Sequence, residues 1–346
     1  SIIYTPIHGS GNIPVRRVLK ELGYTNVNVV KEQELPDGTF PTAPYPNPEN
    51  PQVFELALKL AEKVNPDIIF GTDPDGDRVG VIVKDNKGND QVLSGNQIGM
   101  LITYYLLKAM KEENAVPKNG VVIKTIVSTE SVRNITKEFG VELLDVLTGF
   151  KYIGEKIEEY KETGEKTFIF GFEESFGYLA GTFVRDKDAV VASMILCEIA
   201  TYYKTKGMTL YDALVEIYEK FGFFREEIES FTKAGKDGKE QISKCIRYFR
   251  ETTLTDIEGV KILFKEDYKL RERVDITTGE KTPITLPESN VIKYMLEDES
   301  WFVVRPSGTE PKMKAYMAVK GTSMEDADEK LAAFKKAVIS IVNKGF

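Results

Sequence analysis

Ahead of Phe223, short β-branched runs alternate with stretches whose apolar residues recur at helical spacing, and this alternation restricts the fold more than any other feature of the chain. It is the pattern of βαβ units and of sheets whose strands run largely parallel. Ile2-Ile3-Tyr4 predicts a strand, followed by a helix with the apolar stripe Val15, Val18, Leu19 and Leu22. Pro14 suits the first turn of that helix and Gly23 its end. Pro36, Pro41, Pro44, Pro46, Pro48 and Pro51 then mark an ordered surface connection without regular structure. A helix over 52–64 leads to strands at 67–70 and 79–83. A second set begins near Leu93, with a helix at 101–110, strand 121–123, helix 129–139, strand 141–146, helix 149–161, strand 168–170 and helix 188–204. From Phe223 the rhythm changes to hairpin-like strands, a basic helix over 236–250, strands near 260 and 300, and a final amphipathic helix carrying Leu331, Phe334, Val338 and Ile341. The expected fold class is therefore α/β. Two consecutive sheet domains, mixed or parallel, occupy 1–92 and 93–222, and a smaller α+β C-terminal domain follows over 223–346.

A chain of 346 residues with 42% hydrophobic content has enough apolar material for two or three ordinary cores. Its formal net charge of −8 argues against a nucleic-acid surface, so positive groups that meet an anionic ligand must be concentrated locally. No apolar run approaches the ~20 residues of a membrane span, and no signal peptide leads the chain. The two cysteines, Cys197 and Cys245, sit in apolar or mixed helical contexts, which points to a reducing compartment and a cytoplasmic location. The chain opens at Ser1-Ile2-Ile3-Tyr4, already inside a strand and without Met, which reads as a cut piece.

Between the strands at 67–70 and 79–83 lies Asp73-Pro74-Asp75-Gly76-Asp77-Arg78, three carboxylates on alternate residues with an arginine straight after them. Two carboxylates ~4 Å apart repel by roughly 4 kcal/mol at an effective dielectric near 20, so something positive must hold such a group together. Mg²⁺, with its preference for hard oxygen ligands, does this well. Pro74 stiffens the loop, and Gly76 lets the backbone turn so that alternate side chains converge. The end of a strand is also where sites in open α/β sheets form. The pattern describes a divalent cation meeting a phosphate, with an acidic surface turn as the plainer alternative. A calcium EF-hand is excluded, because its Gly at position six and Glu at position twelve fall on Arg78 and Lys84.

Other segments carry chemistry of their own. Arg305-Pro306-Ser307-Gly308-Thr309-Glu310 follows the apolar run Trp301–Val304 and combines a guanidinium fork, two hydroxyls and exposed backbone amides, which suits a phosphate dianion or else an ordinary turn. Lys312 and Lys314 lie just beyond it. Gly171-Phe172-Glu173-Glu174-Ser175-Phe176-Gly177-Tyr178 offers acceptors for sugar hydroxyls at a strand end, or is simply a charged loop. Lys151 opens a helix after the strand at 141–146, and Lys187 sits in Arg185-Asp186-Lys187-Asp188; each is a candidate anion contact or a solvated lysine. His8, the only histidine, lies at a strand-to-helix turn, with a ligand role and a structural role both open.

Together these segments resemble the α-D-phosphohexomutase family of phosphoglucomutases and phosphomannomutases over nearly the whole chain, with the Asp loop, the Glu173-Glu174-Ser175 loop and the Arg305–Glu310 loop in the family's order. The stretch from Thr5 to Val15 and the Pro46-Asn47-Pro48-Glu49-Asn50 loop are most similar to the phosphoglucomutase and phosphopentomutase branch. The resemblance implies phosphohexomutase domains two, three and four. It also implies a mutase that exchanges sugar 1-phosphate and sugar 6-phosphate, glucose phosphates first, through an enzyme phosphoserine and a bisphosphorylated sugar. Asp73, Asp75 and Asp77 would hold Mg²⁺, Arg78 would neutralise the transferring group, Lys151 would move a proton, and His8 would join them in catalysis. Glu173, Ser175 and Lys187 would grip the sugar, and Arg305, Ser307, Gly308 and Thr309 would hold the idle phosphate. The three loops are implied to line one cleft. No Thr-Ala-Ser-His-Asn-Pro type loop, the family's site of the nucleophilic serine, occurs in the sequence. The resemblance thus implies a fragment that needs the N-terminal domain of the same polypeptide as a partner and is inactive alone. Phosphopentomutase, phosphomannomutase, a metal-dependent phosphatase and a non-catalytic sugar-phosphate binding module are the alternatives, and neither nucleic acid nor a membrane is an expected partner.

Overall fold

Strand β1 (Ile2–Thr5) is buried at every position and has strands paired to both of its edges. Helix α1 (Asn12–Glu21) carries the chain to β2 (Val27–Val29), and α2 (Glu55–Val64) carries it to β3 (Ile68–Thr72); both strands run parallel to β1. An antiparallel meander of β4 (Val79–Lys84) and β5 (Asp90–Leu93) completes the sheet in the order β2-β1-β3-β4-β5. Ile3, Ile69 and Ile82 from adjacent strands pack against Phe54, Ala57 and Ala61. Each buried isoleucine of this kind contributes about 1.5–3 kcal/mol. The stripe expected on α1 is narrower in the structure. The helix ends at Glu21, so Leu22 falls beyond it and is exposed, while Val15 and Leu19 remain buried. Asn12 is buried at the other end, where its Nδ2 donates to the Glu34 carbonyl at 2.7 Å. The proline-rich connection is ordered as turns, and the 3-10 turn Pro51–Phe54 delays α2 relative to the expected start.

The second sheet contains β6 (Gly120–Thr125), β7 (Glu142–Val146), β8 (Thr167–Glu173) and β9 (Gly177–Ala180), in the order β7-β6-β8-β9. The first three are parallel and β9 is antiparallel to β8. Helices α3 (Gly95–Glu112), α4 (Ser131–Glu138), α5 (Lys151–Thr163) and α6 (Ala189–Lys204) pack on these strands, and α7 (Leu210–Phe221) packs on α3, α4 and α6. A capping box fixes the start of α3, with Ser94 and Gln97 exchanging side-chain and backbone bonds. Helix α7 lies outside the sequence expectations, although Leu210, Ala213, Leu214, Ile217, Tyr218 and Phe221 recur at helical spacing and are buried. At the end of β6 the ammonium of fully buried Lys124 lies 2.8 Å from Asp145 and 3.1 Å from Glu130, and Arg133 bonds the same two carboxylates. The paired charges make that burial tolerable. Both sheets belong to one compact unit, Ser1–Phe221.

The second unit, Gly222–Phe346, is built on an antiparallel sheet. Its elements are β10 (Phe223–Thr232), α8 (Gly238–Glu251), β11 (Asp256–Ile257), β12 (Val260–Asp267), β13 (Glu272–Asp275), β14 (Lys281–Pro283), β15 (Ile292–Leu296), β16 (Trp301–Pro306), β17 (Lys312–Gly321) and α9 (Met324–Gly345). The strand order is β10-β17-β16-β15-β12-β13-β14, with β11 paired to β12. Alternate residues Tyr294, Phe302, Val304, Ala315 and Met317 face the two helices, meeting Ile246 and Phe249 of α8 and Phe334 and Val338 of α9. The Tyr294 and Phe302 rings stack at 4.6 Å across neighbouring strands. This is the α+β arrangement expected for the last part of the chain.

The structure is a computed structural model that describes every residue from Ser1 to Phe346 except Ala234, Lys236 and Thr309. Two sequence expectations, Lys236 in the basic helix and Thr309 in the phosphate loop, fall outside the described residues. Among those described, no helix is long and apolar enough to cross a membrane. Cys197 and Cys245 are free and buried, and burial pushes their thiols up to about 12 and about 11.

Candidate active site

The Asp loop hangs between β3 and β4 and folds around one of its own carboxylates. Asp73 Oδ1 accepts the backbone N–H groups of Asp77 and Arg78, each at 2.9 Å, and the Gly76 N–H closes the turn onto the Asp73 carbonyl at 3.1 Å. Gly76 turns at φ +76, where a side chain would strain the backbone. A methyl on Gly9, in the loop after β1, would lie 2.5 Å from Pro74 Cα, so that glycine admits the Asp loop's close approach. The outcome is convergence: carboxylate oxygens of Asp73, Asp75 and Asp77 lie within 4.8 Å of one another. Burial pushes the Asp73 carboxyl up to about 7, and the neighbouring Asp77 and Asp75 charges add to the rise against the two backbone N–H bonds. An oxygen-only trio this crowded fits a hard divalent cation.

Two cations of the chain flank the trio. Lys187 Nζ bonds Asp77 Oδ2 at 2.6 Å, and Arg78 Nε stands 3.8 Å from Asp73 and 3.9 Å from Asp77. The Arg78 guanidinium makes its direct bond elsewhere, donating from Nη1 to Glu49 Oε1 at 2.9 Å. The Pro46–Asn50 loop that contains Glu49 is singled out in the sequence, but Glu49 itself is given no role among the expected site residues.

The Glu173–Tyr178 segment is stitched to this loop through the backbone. Val79 N–H donates to the Phe176 carbonyl at 3.2 Å, Arg78 and Gly177 form an isolated antiparallel bridge, and Ala189 N–H at the start of α6 donates to the Gly76 carbonyl at 3.1 Å. A Cβ on Gly177 would come 2.5 Å from Lys187 Cδ and 2.9 Å from Glu173 Oε1, so glycine leaves the gap through which Lys187 reaches Asp77. Glu173 is buried, and that burial, reinforced by Glu174, pushes its carboxyl up to about 7 despite Lys187, Arg78 and the Ser175 hydroxyl. Glu174 bonds in a different direction. It accepts the Thr125 hydroxyl at 3.0 Å and the Ser128 hydroxyl at 3.5 Å, which anchors the loop to the end of β6.

The remaining expected residues are placed differently. His8 is buried in a left-handed conformation at φ +57, with Nδ1 3.3 Å from the Leu35 carbonyl and Nε2 2.9 Å from the Thr42 hydroxyl. Both ring nitrogens are thus engaged by the proline-rich connection rather than by the Asp trio. Lys151 begins α5, exposed, with its ammonium 4.8 Å from the ring centre of Tyr152.

In the second unit, Arg305 on β16 sits directly opposite Lys314 on β17, and Lys312 shares that face of β17. Met313 and Ala315, which alternate with these lysines, are fully buried on the opposite face. Like charges placed opposite each other across strands destabilise a sheet unless an anion lies between them. The turn beyond is closed by Ser307 N–H donating to the Lys312 carbonyl at 2.7 Å, and the Ser307 hydroxyl accepts the Glu310 N–H at 3.3 Å. Gly308 is exposed at its tip.

Residues 1–88 match the profile described as "Phosphoglucomutase/phosphomannomutase, alpha/beta/alpha domain II", and residues 94–221 match "alpha/beta/alpha domain III" of the same family. The chain belongs to the phosphoglucomutase/phosphomannomutase family. A phosphoglucomutase of Staphylococcus aureus is 35% identical over 332 residues, which cover 96% of this chain and 59% of that protein. The chain therefore spans less than two thirds of the length of such relatives. The fold matches a phosphoglucomutase/phosphomannomutase family protein from Burkholderia thailandensis at a TM-score of 0.65 and 18% identity, over 98% of this chain and 60% of the other. An N-acetylphosphoglucosamine mutase from Aspergillus fumigatus, solved with GlcNAc-6P and magnesium, aligns at a TM-score of 0.50 and 13% identity, over 100% of this chain and 61% of the other.

The raised Glu173 pKa has a measurable consequence for this family member. Its carboxyl titrates at about 7 in the fold against an ordinary 4.5, so the folded chain holds that proton more tightly than the unfolded chain. Below the unfolded value neither state is ionised and there is no penalty. Stability falls as pH rises between the two values, and above the folded value the penalty is constant, on the order of 1–3 kcal/mol. Glu173→Gln should therefore gain stability over the parent between pH 4 and pH 8, read by urea unfolding of the metal-free protein. A difference that is the same at both pH values contradicts this account.

Proposed function

We propose that this chain is the metal- and substrate-binding part of an intramolecular phosphotransferase that interconverts sugar 1-phosphates and sugar 6-phosphates, glucose phosphates foremost, by way of an enzyme phosphoserine and a bisphosphorylated sugar. One observation carries the reading: the oxygens of Asp73, Asp75 and Asp77 converge within 4.8 Å, with the cationic side chains of Arg78 and Lys187 beside them. The kinship with phosphoglucomutases and the magnesium and GlcNAc-6P complex of a fold relative support it.

Asp73, Asp75 and Asp77 would hold Mg²⁺, which supplies positive charge for a phosphoryl group in transfer. The chain's own groups do the rest. Arg78 takes part of the charge spread over the equatorial phosphoryl oxygens, as a planar donor whose forked N–H groups match them. Glu173 and Ser175 accept and donate hydrogen bonds to sugar hydroxyls, and Lys187 moves from Asp77 to the substrate. Lys151 exchanges a proton with the sugar. In the second unit, Arg305, Ser307, Gly308 and Thr309 hold a phosphate that is not reacting, which would relieve the repulsion between Arg305 and Lys314. His8 acts by holding the proline-rich connection. The organisation is three domains, 1–92, 93–222 and 223–346, in a cytoplasmic enzyme whose nucleophilic serine is supplied by an N-terminal domain of the same polypeptide.

The test uses glucose 1-phosphate, Mg²⁺ and a sugar bisphosphate activator with the purified chain. Calorimetry should show Mg²⁺-dependent binding of the sugar phosphate, while neither glucose 6-phosphate nor free phosphate forms. Brisk glucose 6-phosphate formation refutes the need for a separate serine loop. Release of free phosphate would mark a phosphatase, and binding indifferent to Mg²⁺ would mark a binding module.

A further inference from the structure

We infer that Glu49 is a positioning residue, which holds the Arg78 guanidinium beside the Asp trio and keeps it from collapsing into the space between those carboxylates. The inference rests on the reading of the trio as a divalent-cation site.

Three acidic residues compete for one arginine. Arg78 bonds Glu49 at 2.9 Å, yet its nearest approaches to Asp73 and Asp77 are 3.8 and 3.9 Å, beyond hydrogen-bond reach. Arg78 is one residue from Asp77 and its side chain is long and flexible, so without a competing partner the charge of the trio would draw it inward. A guanidinium bonded to Asp73 and Asp77 would occupy ligand oxygens, as Lys187 already does at Asp77. Glu49 supplies the competing partner from outside the trio.

The proline-rich connection is built to deliver Glu49. Pro48 is buried against Gly80 of β4, where a Cβ would come 2.9 Å from Pro48 Cβ and 3.0 Å from its carbonyl oxygen. Asn47 Oδ1 accepts the Glu49 N–H at 2.9 Å, and the Asn47 carbonyl accepts the Asn50 N–H at 2.9 Å, which fixes the backbone on both sides of Glu49. Asn50 Oδ1 accepts the Gln52 N–H at 3.2 Å and starts the turn that buries Val53 and Phe54. Upstream, the two ring bonds of His8 pin the same connection at Leu35 and Thr42. A segment that its prolines describe only as a surface connection is thus an arm clamped at both ends, which sets the Glu49 carboxylate against Arg78.

The test measures Mn²⁺ affinity by electron paramagnetic resonance in four proteins: the parent chain, Glu49→Gln, Arg78→Met and the double variant. Glu49→Gln should weaken Mn²⁺ binding roughly three- to tenfold in the parent and leave it unchanged in the Arg78→Met background. Its urea midpoint should match the parent's, because an exposed ion pair adds little stability. Equal weakening in both backgrounds would mean that Glu49 acts only through its charge, and unchanged affinity in the parent would mean that it does not act at all; either overturns the inference and leaves the cation site standing. A parent chain that binds no Mn²⁺ overturns both.

Discussion

Asp75→Asn is expected to lower the affinity of the chain for Mg²⁺ and Mn²⁺ by at least about a hundredfold while leaving the fold intact. Partners of metal ligands typically cost about 10–100-fold when changed, so removing a ligand charge should cost at least as much. The choice among the three aspartates matters. Asp73 accepts the two N–H groups that shape the loop, and Asp77 holds Lys187, so changing either confuses metal loss with local rearrangement. Asp75 is exposed, and its carboxylate adds to the repulsion that pushes Asp73 up to about 7. The metal-free variant should therefore be as stable as the parent or slightly more so, because one of three crowded charges has gone. Titration calorimetry gives the affinity and urea unfolding gives the stability. An affinity within threefold of the parent would remove Asp75 from the site.

Gly95→Ala should be the most destabilising single-methyl change near the site, costing about 3 kcal/mol or more in urea unfolding. Gly95 is the first residue of α3, where the Glu174 backbone passes directly over it. An added Cβ would overlap the Glu174 carbonyl oxygen and lie 2.8 Å from its carbon and 3.0 Å from Phe176 N. Backbone on both sides leaves no flexible side chain to yield. Tyr178, wholly buried, also donates its hydroxyl to the Gly95 carbonyl at 3.1 Å, so a shift of the helix start carries β9 with it. The loop bearing Glu173 and Ser175 must move, and sugar-phosphate binding should fall together with stability. Gly38→Ala is the control, since a methyl there meets nothing within 4 Å. Equal stability of the two variants would show that the loop is softer than its packing implies.

The legible parts of this protein were those governed by local pattern. Strand runs such as Ile68–Phe70 and Val121–Ile123 read correctly because burial on both faces demands continuous β-branched residues. The Asp trio was legible because alternate spacing on a turn is enough to converge three short side chains. Helix α7 was missed although its spacing was present, and the stripe on α1 was read too wide because the helix stops at Glu21. Glu173 and Glu174 are neighbours of identical chemistry; one faces Lys187 and Arg78 and the other bonds Thr125 and Ser128, a division set by the path of β8 and by residues distant in sequence.

Composition, periodicity and motif spacing by themselves determined the α/β class, the change to α+β after Phe223 and the crowding of three carboxylates on one turn, since each depends on residues close together in the chain. Only the tertiary structure decided that His8 serves the proline-rich connection, that Lys187 reaches Asp77 past Gly177, and that Glu49 holds Arg78. Those pairings join residues tens of positions apart, and they form only where packed strands and loops bring the backbones together. A charged or polar side chain takes whichever partner the fold places within reach, and no local pattern records which one that is.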